Sequence, residues 1–229
     1  MTKAVRAKKI RIDQEPRLRV EFKPKTKGQE SYLRTIIEND IVFCTGPAGC
    51  GKSYLAIGLA CQYLLESRYD YLVIARPTIE AAPRSLGALP GVLEDKLSPY
   101  LYPTIEHVKL FLGADTYKRY KENDMIRFEA LEFCRGRTYN NSMIILDEAQ
   151  NCNKSQLVMF VTRIGENSKM IICGDTEQSD MRLVGDDSDL QHVIDRVNAA
   201  NLPKFGISHL DESSIIRNPL IAGFLRAMK

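Results

Sequence analysis

The sequence predicts an α/β fold, a mainly parallel sheet flanked by helices in a single core, with one helical and loop insert at about residues 83–122. Three observations predict it. From residue 40 onward, short apolar runs alternate with helical patterns, the sequence form of a parallel sheet wrapped by helices. The stretch "GPAGCGKS", Gly46 to Ser53, stands between the first apolar run and an amphipathic helix. The run "MIILDEAQ" ends in adjacent carboxylates, Asp147 and Glu148, as a buried strand delivers polar groups to one edge of a sheet. At 229 residues, 44% apolar and 27% charged, the chain has ordinary globular composition and length for one sizeable core.

In chain order, residues 1–27 form a basic arm, with ten Lys or Arg against three Asp or Glu, on a net-acidic body. Such an arm suits a polyphosphate backbone or the acidic face of a neighbouring subunit, and equally a solvated tail. Within it, "KIRI" and "RLRVEF" alternate apolar and charged residues around "DQEP", which suggests a short hairpin. The domain proper is expected over 28–229. Strands are predicted at "DIVFCTG", "YLVIARP", "IRFEALEF", "SMIILDEA", "KMIICGD" and "KFGISHLD". Helices are predicted over 52–66, from an Asn153 N-cap through Ile164, over 188–200, and over 219–228 with Pro219 in its first turn. The Pro- and Gly-rich segment 83–122 reads as an inserted element rather than a plain crossover.

No run of eighteen apolar residues occurs, and no apolar stretch follows the basic N-terminus, so neither a membrane span nor a secretory leader is expected. Six scattered cysteines without a C-x-x-C pair read as reduced, buried thiols of a cytoplasmic protein.

The chemistry begins at the glycines. The pattern G-x-x-x-x-G-K-[ST] binds phosphate because glycines let backbone N–H groups approach it and the following helix N-terminus favours an anion. Gly46, Pro47, Ala48, Gly49, Cys50, Gly51, Lys52, Ser53 and the adjoining Tyr54 are the predicted nucleotide-binding residues. Lys52 would reach the outer phosphates, and Ser53 with Asp147 would hold Mg²⁺. Glu148 would orient and polarise the attacking water. Gly174, Asp175 and Gln178, after "KMIICGD", would sense the terminal phosphate; the same segment also reads as a plain turn.

Other residues admit two readings each. Gln29 would read the adenine edge through its amide, or it is an exposed helix-start residue. The guanine signature N-K-x-D is absent, since "NKSQ" has Gln156 where Asp is needed. Arg217 is a structural partner for Asp211 or Glu212, or a finger reaching a neighbour's terminal phosphate, a role contributing ~10³ to 10⁵ in rate elsewhere. Arg76, Arg135 and Arg137 are nucleic-acid backbone contacts or solvent-facing loop charges.

The segments "GPAGCGKSYLAIGLA", "ARPTIEAAPRSLGALPGVLEDKLSPYL", "FEALEFCRGRTYNNSMIILDEAQN", "ICGDTEQSD" and "SSIIRNPLI" together resemble the PhoH-like ATPases of bacteria and their phages, from about residue 24 to the C-terminus. The resemblance implies a RecA-like P-loop ATPase core related to the first motor lobe of superfamily 1 helicases, in a ring-shaped, hexameric assembly. It also implies action in RNA metabolism, in a bacterial cytoplasm or that of a phage host. Lys52 and Ser53 match the family's nucleotide loop, Asp147 and Glu148 its metal and water positions, Gln150 and Gln178 later motor-like motifs, and Arg217 a motif arginine. Cys50 departs from the small hydroxyl residue usual there, and "AAPRS" from an acidic "AGE" type sequence.

A chain with room for one core is expected to borrow the second wall of its nucleotide site, which favours a closed ring with one nucleotide per interface and Arg217 acting in trans. The leading expectation is a Mg²⁺-dependent ATPase coupled to single-stranded RNA or another nucleic acid. A P-loop kinase, with the insert as its lid, and a nucleotide-switched scaffold are the alternatives.

Overall fold

The computed structural model describes residues 17–77, 93–176 and 189–216, with the backbone alone for 93–100. Six strands, β1 (Ile41–Thr45), β2 (Tyr71–Arg76), β3 (Ile126–Ala130), β4 (Ser142–Leu146), β5 (Lys169–Gly174) and β6 (Phe205–His209), form one sheet in the order β3-β2-β4-β5-β1-β6. Every neighbouring pair is parallel. This is the parallel sheet flanked by helices expected from the sequence, and each strand falls where its apolar run predicted. β3 stops earlier than its run because Leu131–Cys134 winds into a 3-10 turn.

Strand alternation assigns the two faces of the sheet. Val42, Cys44, Leu72, Ile74, Met143, Ile145, Ile171 and Cys173 point to one side, where they meet α1 (Lys27–Glu38), α2 (Lys52–Leu65), α3 (Leu93–Leu112) and α4 (Ala114–Glu122). Phe43, Val73, Ile144, Leu146, Met170 and Ile172 point to the other, against Leu157 and Phe160 of α5 (Lys154–Val161) and Leu190 and Ile194 of α6 (Leu190–Ala200). A strand covered on both faces has no use for polar residues, which is why β1, β4 and β5 read as unbroken apolar runs. Burying each large aliphatic side chain contributes about 1.5–3 kcal/mol.

Helix starts follow their caps. Thr26 accepts from the Gln29 N–H at 3.2 Å to open α1, and Asn153 forms a reciprocal capping box with Gln156 to open α5, as its sequence position predicted. The predicted helix over 219–228 lies outside the described residues. Within the insert, α3 and α4 carry the connection between β2 and its parallel neighbour β3, so the insert is also the crossover that a parallel pair requires.

The end of the basic arm packs on the core. Residues 17–25 carry no regular element, the Arg19 N–H donates to the Phe111 carbonyl at 2.7 Å, and Phe22 sets its edge against Phe111 at 6.1 Å. Gly58 on α2 admits that ring, since a Cβ there would lie 2.7 Å from it. The "KIRI" half of the expected hairpin lies outside the described residues. Among the described residues no helix is long and apolar enough to cross a membrane.

Candidate active site

The strands deliver their C-terminal ends to one edge, where a cleft of about 860 Å³ opens between the phosphate loop, the ends of β2, β4 and β5, α3 and the arm. The loop leaves β1 at Gly46 (φ +148°) and enters α2 through Gly51 in the left-handed region (φ +95°). Gly46 must be glycine for a second reason. A Cβ there would stand 2.1 Å from the carbonyl oxygen of Leu210, whose own N–H donates to the Thr45 carbonyl at 2.8 Å.

Lys52 folds back on this loop, its Nζ donating to the carbonyls of Gly46 at 2.5 Å and Pro47 at 3.0 Å. Ser53 Oγ donates to Asp147 Oδ1 at 2.5 Å, bringing the hydroxyl of α2 onto the carboxylate at the end of β4. Ala48 and Gly49 line the mouth of the cleft, while Tyr54 packs across α2 onto Phe111 (4.9 Å) and His107 (5.8 Å) of α3. Cys50 is buried, and burial pushes its thiol up despite the neighbouring Lys52 ammonium. Behind it Cys44 and Tyr32 are also raised by burial and Cys173 is pushed up to about 12, so the floor beneath the loop is uncharged.

The acidic end is built from side chains. Glu148 adopts a left-handed backbone (φ +59°), an uncommon conformation for a branched-free but bulky side chain. Arg76 Nη2 lies 3.0 Å from Glu148 Oε1, and its Nε lies 3.8 Å from Asp147 Oδ2. Gln150 Nε2 donates to Glu148 Oε2 at 2.6 Å, and Gln150 Oε1 accepts the Asp175 N–H at 3.0 Å, tying β4 to the end of β5. Gly174 permits that approach; a Cβ there would lie 3.0 Å from the Gln150 nitrogen.

Gln29 is 1% exposed, which removes the exposed helix-start reading. Its Oε1 accepts the Lys25 N–H at 2.8 Å, and its Nε2 donates to the Cys50 carbonyl at 2.8 Å and the Ser214 carbonyl at 3.4 Å. One amide therefore joins the arm, the phosphate loop and the C-terminal segment. Leu210, Ser214, Lys25 and the α3 residues of the cleft carried no sequence signal, because their roles come from chain crossings that no local pattern encodes.

The remaining expectations divide. Gln178 and Arg217 lie outside the described residues; Ile216, just before Arg217, lines the cleft. Arg76 stands inside the cleft, its side chain 16% exposed, paired with the carboxylates rather than displayed on a solvent loop. Arg137 pairs with buried Glu129 at 2.9 Å, which also accepts from Tyr139 Oη at 2.6 Å, while Arg135 is exposed.

The donor set suits a magnesium nucleotide. Hydroxyl and carboxylate oxygens already meet at Ser53 and Asp147, and Mg²⁺ takes one or two carboxylates together with substrate phosphates. Among the described residues no group of three or more His, Cys, Asp or Glu side chains could hold a metal ion by itself.

Comparison with known proteins gives a family. The model of the family described as PhoH-like protein matches residues 21–229. A PhoH-like protein of Bacillus subtilis is 37% identical over 99% of this chain and 66% of its own length. A PhoH-like protein of Synechocystis is 36% identical over 89% of this chain and 61% of its own, and protein PhoH of Escherichia coli K12 is 33% identical over 89% and 57%. The chain thus spans about two thirds or less of these relatives. A solved Sulfolobus solfataricus SWI2/SNF2 ATPase core in complex with dsDNA aligns at 12% identity over 89% of this chain and 48% of its own, with a TM-score of 0.46.

Proposed function

The chain belongs to the PhoH-like protein family, and from that premise we propose that it is a Mg²⁺-dependent ATPase, hydrolysing ATP to ADP and phosphate in a ring oligomer that works on nucleic acid. The observation that carries the reading is the meeting of Ser53 with Asp147 at 2.5 Å, beside Lys52 and with Glu148 one residue further on. Loop, metal ligands and base stand in one cleft.

In the proposed reaction the backbone N–H groups of Gly49, Gly51 and Lys52 bind the phosphates, and the Lys52 ammonium leaves its loop carbonyls for the outer phosphates. Bound Mg²⁺, held by Ser53 and Asp147, would neutralise charge on the phosphate oxygens. Glu148 orients the attacking water and accepts its proton as the bond to the bridging oxygen breaks. Gln29 fixes the loop through Cys50 and keeps a carbonyl lone pair for the adenine amino group. Gln178 and Arg217 are proposed to contact the terminal phosphate, Arg217 from a neighbouring subunit.

The basic arm, Arg135 and Arg137 are the proposed contacts to a nucleic-acid backbone, with single-stranded RNA the leading substrate and the bacterial cytoplasm the setting. Phosphate release measured without polymer and with single-stranded RNA, duplex RNA or single-stranded DNA, alongside the oligomer mass, tests this. Stimulation by a single strand that weakens with salt supports it. A monomer indifferent to every polymer would leave only the ATPase standing.

A further inference from the structure

We propose that Arg76 is a positioning residue that holds the general base Glu148 in a resting arrangement, and that its release sets the rate of hydrolysis. This rests on the ATPase reading above.

Both oxygens of Glu148 are engaged: Oε1 faces the Arg76 guanidinium at 3.0 Å, and Oε2 accepts from Gln150 at 2.6 Å. The guanidinium and the Gln150 amide therefore compete with the hydrogens of an attacking water for the lone pairs of the carboxylate and fix its direction. Arg76 closes β2, the direct neighbour of β4 in the sheet, so its backbone is fixed relative to Asp147 and Glu148. The Asp147 N–H donates to the Ala75 carbonyl at 2.9 Å, which sets the register of the pair. The Arg76 side chain is 16% exposed and lines the same cleft as Lys52, whereas the Glu148 side chain it holds is 42% exposed, so the restraint acts from the buried side of an open carboxylate. The left-handed backbone of Glu148 places the side chain toward this partner, and such conformations persist where surrounding contacts hold them.

Three strand ends thus determine where the base points: β2 through Arg76, β4 through Glu148 itself, and β5 through the Asp175 N–H on Gln150.

The test is steady-state phosphate release, without added polymer, for the wild type, Arg76→Ala, Arg76→Lys and Arg76→Ala combined with Glu148→Gln. Removing the restraint is expected to raise kcat by about 10- to 100-fold, the size of a lost hydrogen bond to a charged group, with KM for ATP within about twofold. Arg76→Lys keeps the charge without the fork and is expected between the two. The double variant is expected to lose the gain entirely, because the gain runs through Glu148. Thermal melting and binding of a fluorescent ATP analogue show that each variant folds and holds nucleotide. A kcat for Arg76→Ala that falls or stays at the wild-type value, in a protein that melts and binds normally, overturns the proposal. A wild type that binds nucleotide and releases no phosphate overturns the ATPase reading instead.

Discussion

The two ends of the site are made of different material. At the end of β1 the phosphate loop is a backbone structure: glycines with positive φ aim its amides, and neighbouring carbonyls hold Lys52. At the end of β4 the acidic pair is a side-chain structure, in which Arg76, Gln150 and Ser53 fix two carboxylates by hydrogen bonds of 2.5–3.0 Å. A backbone cradle tolerates a change of side chain, as Cys50 illustrates, but not an added Cβ. A side-chain network has the opposite sensitivity.

Substitutions can break that contrast, beginning with the most severe. Gly46→Ala sets a Cβ 2.1 Å from the Leu210 carbonyl, so the loop must move. Nucleotide binding is expected to disappear, with a stability loss of at least about 1–3 kcal/mol in urea unfolding. Lys52→Ala removes the cation proposed to bind the outer phosphates and is expected to weaken ATP by about 10- to 100-fold in equilibrium titration. Gln29→Ala strands the buried Cys50 carbonyl, a cost of about 1–3 kcal/mol seen as a lower denaturation midpoint. Cys50→Ala, which leaves every loop amide in place, is expected to change kcat/KM by less than about tenfold, under 1.4 kcal/mol.

The thiols give the mildest test. All six cysteines are buried, and burial pushes Cys134 and Cys173 up to about 12, so none supplies thiolate near neutral pH. A disulfide reagent at pH 8 is expected to label the native protein slowly and all six positions once it is denatured. Rapid native labelling of Cys50 would show that the cradle opens.

The same contrast explains what the sequence made legible. The central strands β1, β4 and β5 were readable because burial on both faces leaves an apolar run, and the loop because backbone approach demands glycine at fixed spacing. Asp147 and Glu148 were readable because they end such a run. Arg76 was readable as a charge after a strand but not as the partner of Glu148, since the order β3-β2-β4 that makes them neighbours is a property of the sheet. Gln29 was found by its place before β1, yet its junction with Lys25, Cys50 and Ser214 depends on segments up to 185 residues apart.

The most direct measurement is phosphate release by Glu148→Gln set beside its equilibrium affinity for ATP. The affinity is expected to match that of the wild type and kcat to fall by about 10²- to 10⁴-fold. A Glu148→Gln protein that turns over at the wild-type rate would contradict the role of Glu148 as the base.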